Sequence, residues 1–530
     1  MAANVDYGKW SKDSLIERLV QLEKELQARP APPTAPVVRD AAAEDAQPAP
    51  KKRKEKPKMD PTTKSFRFIA LRLAYLGRNY GGFEYSASGV LPSIEEELFK
   101  ALTKTCLIFP EDERAVDFGN CEYSKCGRTD RGVSAFGQVI ALRVRSAKPT
   151  SASRNKRKKV VEQTQGAEAQ AEAAQTEPEP VETDAPEPPP FDPIRDEIDY
   201  PKVLNRVLPP DIRILGWCPS PPPDFSARFS CRERQYRYFF TQPAFSPSLP
   251  SQGQKNVGWL DIDAMRDAAK RYEGEHDFRN FCKIDPAKNI TNFKRGILEA
   301  TIEEVPDMGS AMQYLSYPPD LSATESGQLP KVYCFKVRGT AFLWHQIRNM
   351  VSILFLVGQG LEKPDLVGKL LDIEKNPRRP VYVMADEVPL VLWDCLFTDE
   401  MGAQLPWIHV EDSIDPAKPN TSFGTTEGLW KLWREVKMDE ILANRLLNLV
   451  AQPLNYDALP VKEGPPSVKL FEGGNSGRQA GKHVPVMKMA LMETPEEQSN
   501  KFAQRRGFAS AEDRDQQRFA KKAQTNAAAE

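Results

Sequence analysis

Residues 147–192 cut the chain with a stretch that has little to pack. They run from a basic cluster (Arg154, Lys156 to Lys159) into a tract of Ala, Glu, Gln and Pro. Such a composition buries too little apolar surface to offset the entropy of ordering it. The tract is expected to be a disordered insertion, and a surface loop absorbs such length at small entropic cost. The fold must then be assembled from what lies on either side, a first ordered part at 65–146 and a longer one at 193–400. Beyond these, a short helix and a disordered basic linker are expected at 1–64, a helical extension at 401–470 and a mostly disordered polar tail at 471–530.

The insertion also hides the charge of the rest. The formal net charge is −1, but residues 161–190 hold eight acidic side chains and no Lys or Arg; without them the balance is +7. A basic folded part beside an acidic linker is compatible with a polyanionic partner. Apolar runs such as Ile353 to Val357 are far too short to span a bilayer, so no membrane partner is expected. Met1 to Lys9 lacks the basic-then-apolar pattern of a signal peptide, so a soluble intracellular protein is the expectation.

Eight cysteines in a chain this long argue against a disulfide scaffold. None forms a Cys-x-x-Cys pair, and Cys121 and Cys126 are followed by no second pair or histidine cluster. With only four histidines (His276, His345, His409, His483), no metal is expected, and each cysteine reads as a small buried apolar residue. There is no G-x-G-x-x-G and no Walker sequence, so no nucleotide cofactor is indicated.

Near the N-terminus, Ser14 and Glu17 have capping-box spacing and Leu15, Leu19, Leu22 and Leu26 form one stripe, so residues 11–29 read as a short amphipathic helix. The Lys-rich run 51–58 reads as a nuclear import signal, an RNA-contacting arm or a solvated linker. Order begins near Ser65. Phe66 to Leu76 alternates as a strand with Ile69, Leu71, Leu73 and Tyr75 on one face, and Val139 to Arg145 does so with Ile140, Leu142 and Val144. Glu95, Glu96 and Glu97 open a helix over Ile94 to Lys104, where acidic groups suit the N-terminal dipole. Further strands are expected near 213–217, 234–241 and 332–338, and helices over Phe342 to Leu356 and from about Gly428 to Leu449. Mixed strands and helices without a Gly-rich phosphate loop give an α+β fold with antiparallel sheet.

The segment richest in chemistry is Lys125 to Val139, a glycine-punctuated loop that feeds directly into a strand and carries Asp130 between Arg128 and Arg131. A carboxylate on such a loop can be held at the rim of a sheet, and the arginines add charge for phosphates or for the carboxylate itself. An isolated Arg-Thr-Asp-x-Gly is more often only a turn, since Asp favours local backbone bonds.

The match is not isolated. Gly127-Arg-Thr-Asp130-Arg-Gly-Val133 closely resembles the signature of the TruA family of tRNA pseudouridine synthases. Six further segments, one before it and five after, stand in the family's order. They are Tyr75 to Tyr80 with Gly82 and Phe83, Leu204-Asn205 with Leu208 to Ile212, and Phe225 to Phe229 with Arg234 to Tyr238. Then come Gly274 with His276 to Phe278 and Phe281, Phe342 to Val351, and Val388 to Leu392. Details such as Gly82 to Tyr85 and Glu275 to Lys283 resemble the eukaryotic branch that acts at positions 38 and 39 of tRNA. Ser134 departs from the bacterial members, which usually carry histidine there.

The resemblance implies a pseudouridine synthase fold of mostly antiparallel sheets flanked by helices, with two similar subdomains around a central RNA-binding cleft. It divides the catalytic domain between 65–146, which carries the Asp loop, and 193–400. It implies Asp130 as the catalytic residue, Arg348 as the cation that keeps it ionised, tRNA as partner, a homodimer and no cofactor. Nucleus and cytoplasm are the expected locations. A surface helix position is the other reading of Arg348. Tyr236 is expected to stack on the flipped uracil, while Tyr238 fits a core position better. Arg128, Arg131 and Arg228 are expected to contact RNA. Arg228, Arg232, Arg234 and Arg237 together read either as phosphate contacts or as a solvated strand edge.

Overall fold

In the computed structural model, the alternation that opens at Ser65 forms a central strand. This strand, β1 (Ser65–Tyr75), is flanked on both edges, and Ile69, Ala70 and Leu71 on its two faces are all buried. The structure describes residues 59–150, 190–242, 244, 260–306, 331–398, 404–410, 425–451, 468–474, 478–480 and 483–527. The helix expected at 11–29, the basic run 51–58 and nearly all of the 147–192 insertion lie outside the described residues.

Along the chain β1 is followed by α1 (Ile94–Lys104), β2 (Ser124–Lys125), β3 (Ser134–Ser146), α2 (Tyr200–Asn205), β4 (Ile212–Cys218) and β5 (Glu233–Gln242). Then come α3 (Ile262–Lys270), β6 (Gly274–Asp277), β7 (Lys294–Glu304), β8 (Lys331–Gly339), α4 (Gln346–Gly358), α5 (Leu366–Leu371), β9 (Leu390–Leu396) and β10 (Ile408–His409). The chain ends with α6 (Thr425–Ala451), the two-stranded pair β11 (Val468–Leu470) and β12 (Arg478–Ala480), α7 (Pro495–Arg505) and α8 (Ala511–Ala527). Helix α1 starts where the acidic run places it: Ser93 accepts a hydrogen bond from the Glu96 amide, and Glu95, Glu96 and Glu97 fill the first turn.

Among the described residues the main sheet has ten strands in the order β10-β4-β1-β3-β9-β5-β8-β7-β6, with β2 on β3. Pairing is antiparallel except between β3 and β9, which run parallel at Ser134–Val391 and Ala135–Leu392. Two cores form on this sheet. One gathers α1 with β1, β3 and β4; the other gathers α3 and α4 with β5, β7 and β8. The expected antiparallel α+β architecture is present, and its two halves share one continuous sheet joined through β9. Tyr236 packs against both cores. At Tyr236 the β5–β9 register slips, so that Gln235 faces Asp394 but Tyr236 faces Leu392. A bulge of this kind re-aims side chains.

Two expectations need correction. Helix α4 starts at Gln346, not Phe342. His345 sits in the left-handed region at φ 63°, and the Gln346 side chain accepts from the Leu343 amide, so residues 342–345 form a turn ahead of the helix. The polar tail after 471 carries α7, α8 and buried anchors. Phe471 packs edge-on against Phe355 at 4.7 Å, Val486 is buried, Arg378 pairs with Glu497 at 2.6 Å, and Arg514 donates to the Pro286 carbonyl at 3.0 Å. A few apolar contacts and ion pairs fasten a segment whose overall composition is polar.

Candidate active site around Asp130

Backbone contacts fix the Asp130 loop on every side. The Cys126 amide donates to the Val139 carbonyl at 2.9 Å, extending the β2–β3 pairing. The buried Gln138 amide grips Gly127 from both directions, accepting from its N–H at 3.1 Å and donating to its carbonyl at 2.8 Å. The Tyr75 hydroxyl and Thr129 Oγ1 lie 2.7 Å apart, and the Phe83 amide donates to the Thr129 carbonyl at 3.1 Å. The turn closes with the Val133 amide on the Asp130 carbonyl at 3.1 Å. Ser134 now has a defined contact: its hydroxyl accepts from the Gly77 amide at 3.0 Å.

Two glycines are required by this packing. A Cβ on Gly77 would sit 2.1 Å from the Val133 carbonyl oxygen. Gly132 holds φ at 79°, and a Cβ there would come within 2.6 Å of Glu387 Cγ.

The Asp130 side chain is 29% exposed. Trp344 Nε1 donates to its Oδ1 at 3.0 Å, and His345 Nε2 lies 3.4 Å from its Oδ2. Burial lifts the Asp130 pKa above its usual value. The Trp344 hydrogen bond and the charges of Arg348 and Lys283 pull it down, Glu387 pushes it up, and the net direction is upward. Burial, with Arg348, Lys283 and Arg379, pulls His345 down to about 4. The imidazole is therefore neutral at pH 7, and its contact with Asp130 is not an ion pair.

Arg348 lies in the first turn of α4 and is 8% exposed, which rules out the surface reading. Its Nη2 meets Glu387 Oε2 at 2.6 Å and its Nε donates to the Ala385 carbonyl at 2.8 Å. The direct polar contacts of Asp130 are thus Trp344 and His345, while Arg348 acts on it through its field and is itself held by Glu387. Lys283 lies over the Trp344 ring at 4.3 Å, and its amide donates to the Trp344 carbonyl at 2.9 Å.

Tyr236 is half-buried and meets Phe342 edge-on at 5.2 Å. Tyr238 is fully buried against Phe355, as a core residue. Among the arginines, Arg128 is exposed and pairs with Glu84 at 3.2 Å. Arg131 is exposed and meets no acid among the described residues. Arg228 is exposed beside the 80% exposed Phe229, 5.2 Å from its ring centroid. Arg237 lies 3.9 Å over the Trp393 ring, and Arg234 turns inward to backbone carbonyls, so the four arginines of this segment do not act as one set.

Trp344, His345 and Lys283 stand inside segments that carry the family resemblance, but no pattern in those segments assigns them a role, and Glu387 lies outside all of them. Trp344 and His345 stand in the segment Phe342 to Val351, whose apolar spacing reads as helix. Among the described residues, the one group that could hold a metal is Cys126, Cys231 and Cys395, away from the Asp130 carboxylate's own contacts.

Residues 268–398 match a family model described as tRNA pseudouridine synthase; that stretch includes Arg348 and Glu387 and excludes Asp130. The chain is 39% identical over 410 residues to the human tRNA pseudouridine(38/39) synthase, covering 77% of this chain and 68% of that one. It is 38% identical over 412 residues to the Saccharomyces cerevisiae protein of the same name, covering 76% and 74%. It is 25% identical over 355 residues to tRNA pseudouridine synthase A of Methanosarcina mazei, covering 67% and 92%.

Proposed function

We propose that this chain, which belongs to the TruA-type family of tRNA pseudouridine synthases, uses Asp130 as the carboxylate that isomerises uridine to pseudouridine in the anticodon arm of tRNA. The positions are 38 and 39, the ones carried in the names of its human and yeast relatives.

The reaction breaks the N1–C1′ bond of the nucleoside, turns the uracil and joins C5 to C1′. The C5 proton is lost and a proton is gained at N1, so atoms balance without oxidant, reductant or energy input. What the chemistry needs is a group that meets an electron-poor sugar or a detached base. An ionised carboxylate does this, as at glycosidic centres.

The observation that carries the reading is the state of Asp130. One oxygen is fixed by the Trp344 indole at 3.0 Å, the other faces a neutral imidazole, and the side chain remains partly open to solvent. Its charge is thereby oriented without being consumed by an ion pair. Arg348 keeps the carboxylate ionised from a distance while Glu387 holds Arg348 in place. The target uridine must leave its stack, which costs a few kcal/mol, and anticodon-loop bases are less constrained than stem bases. Tyr236, set between the two cores and braced by Phe342, is the platform on which the uracil stacks, an interaction of ~1–3 kcal/mol. Arg131, Arg128 and Arg228 supply phosphate contacts at the surface. The family resemblance also supports a homodimer, which sedimentation analysis tests.

The test is incubation of the purified chain with an unmodified tRNA transcript, followed by mapping of pseudouridine. Conversion at 38 and 39 is expected. Conversion confined to other positions rejects the site assignment, and no conversion in a folded, tRNA-binding preparation rejects the enzyme.

A further inference from the structure

We propose that Cys126, Cys231 and Cys395 form a structural zinc site within the core that gathers β1, β3 and β4. The three come from distant parts of the sequence. Cys126 follows β2 on the way to Asp130, Cys231 stands just ahead of β5 on the way to Tyr236, and Cys395 lies in β9, which pairs with both β3 and β5. All three are buried, and their sulfurs lie within 4.8 Å of one another. A zinc–thiolate bond of ~2.3 Å in tetrahedral geometry sets its sulfurs about 3.8 Å apart, so a metal fits among them with small adjustments. The cluster supplies three of the four positions that a tetrahedral zinc takes. A disulfide needs two sulfurs at ~2.05 Å, so it requires larger movement and leaves the third thiol over.

Arg234 gives the second, independent observation. Its side chain is partly buried and faces Cys395 across the β5–β9 pairing. All of its hydrogen bonds go to backbone carbonyls, of Thr340 at 2.8 Å, Arg228 at 2.9 Å and Cys126 at 3.2 Å. No carboxylate pairs with it among the described residues. A partly buried cation is stabilised by a nearby counter-charge. Three neutral thiols supply none; three thiolates with one divalent zinc carry −1, which Arg234 neutralises. Of the divalent ions, zinc suits thiolates and brings no redox chemistry.

Such a site would tie the chain leading to Asp130, the chain leading to Tyr236 and the strand joining the two halves of the sheet. Its role is positioning: the metal is enclosed and takes no part in the isomerisation. Sequence reasoning misses it because no two of the three cysteines share a local motif.

The test uses the full-length chain, without a metal-binding tag and purified without chelator. Metal analysis should find about one zinc per chain, as expected of a metal that is part of the folded state. X-ray absorption at the zinc edge should show three sulfurs at about 2.3 Å. Cys231→Ser and Cys395→Ser should each lose the zinc and melt lower, while Asp130→Ala should keep it. The wild-type measurement does not depend on any variant folding. The proposal is overturned if wild-type protein, supplied with zinc and desalted, retains only traces, or if the bound zinc has no sulfur neighbours. It is equally overturned if thiol counting in denaturant without reductant finds two of the three joined as a disulfide and no metal.

Discussion

The Trp344 indole nitrogen donates to Asp130 Oδ1 at 3.0 Å across a gap of more than two hundred residues in the chain. This hydrogen bond is the strongest force that lowers the Asp130 pKa, against a burial effect that raises it. Trp344→Phe keeps an aromatic ring and removes the donor. A hydrogen bond to a charged group is worth ~1.5–3 kcal/mol, so turnover at neutral pH should fall about tenfold to a hundredfold. The acid limb of the pH–rate profile should move to higher pH, because the carboxylate then needs less acid to protonate. Single-turnover rates across pH check both.

Asp130 is also predicted to cost stability. Its native pKa lies above the ordinary 3.8, so the folded chain binds the extra proton more tightly than the unfolded chain does. Stability from this group is present at low pH and is lost as pH rises through the raised native value. Asp130→Asn removes the buried charge. It should melt above wild type at pH 7, and the difference should shrink below the ordinary carboxylate pKa. Calorimetry at the two pH values measures this.

How far these residues were legible in the sequence depends on how local each signal is. Strand β1 and helix α1 were readable because alternation at Ile69, Leu71, Leu73 and Tyr75 and the acid run at Glu95 to Glu97 are contiguous patterns. Asp130 was legible only through the resemblance of its segment and six others to the family's motifs, because Arg-Thr-Asp-x-Gly alone reads as a turn. The turn at Trp344 and His345 was not, because Phe342, Leu343 and Ile347 have helical spacing and only the positive φ of His345 breaks it. Glu387 and the cysteine cluster depend on pairings made by the finished sheet. The tail helices were hidden by composition: α7 and α8 are mostly polar, and they are held by Ala503, Ala511 and Arg514 at particular points.

Gly132 should tolerate no side chain. A non-glycine residue at its φ of 79° costs ~1–3 kcal/mol in strain, and the added carbon would press on Glu387 at 2.6 Å. Gly132→Ala should displace Glu387, release Arg348 and lower turnover more than it lowers the melting temperature. The same substitution at Gly368, which has no atom within 4 Å of its would-be Cβ, should leave turnover unchanged and serves as the control.

Arg131 and Arg128 should differ despite their proximity. Arg128 is already paired with Glu84, whereas Arg131 pairs with no acid among the described residues. Arg131→Ala should weaken tRNA binding more than Arg128→Ala. It should also reduce the slope of log affinity against log salt by about 0.7–0.9, the loss of one phosphate contact. Filter binding over a range of salt concentrations separates the two.

The central claim is that the Asp130 carboxylate acts on a flipped uridine. The most direct measurement is pseudouridine formation by Asp130→Ala on a tRNA transcript, at enzyme concentrations above the tRNA dissociation constant measured for that same variant. The account predicts tRNA binding close to wild type and no pseudouridine at 38 or 39. Pseudouridine formed at those positions at a rate near wild type would contradict it.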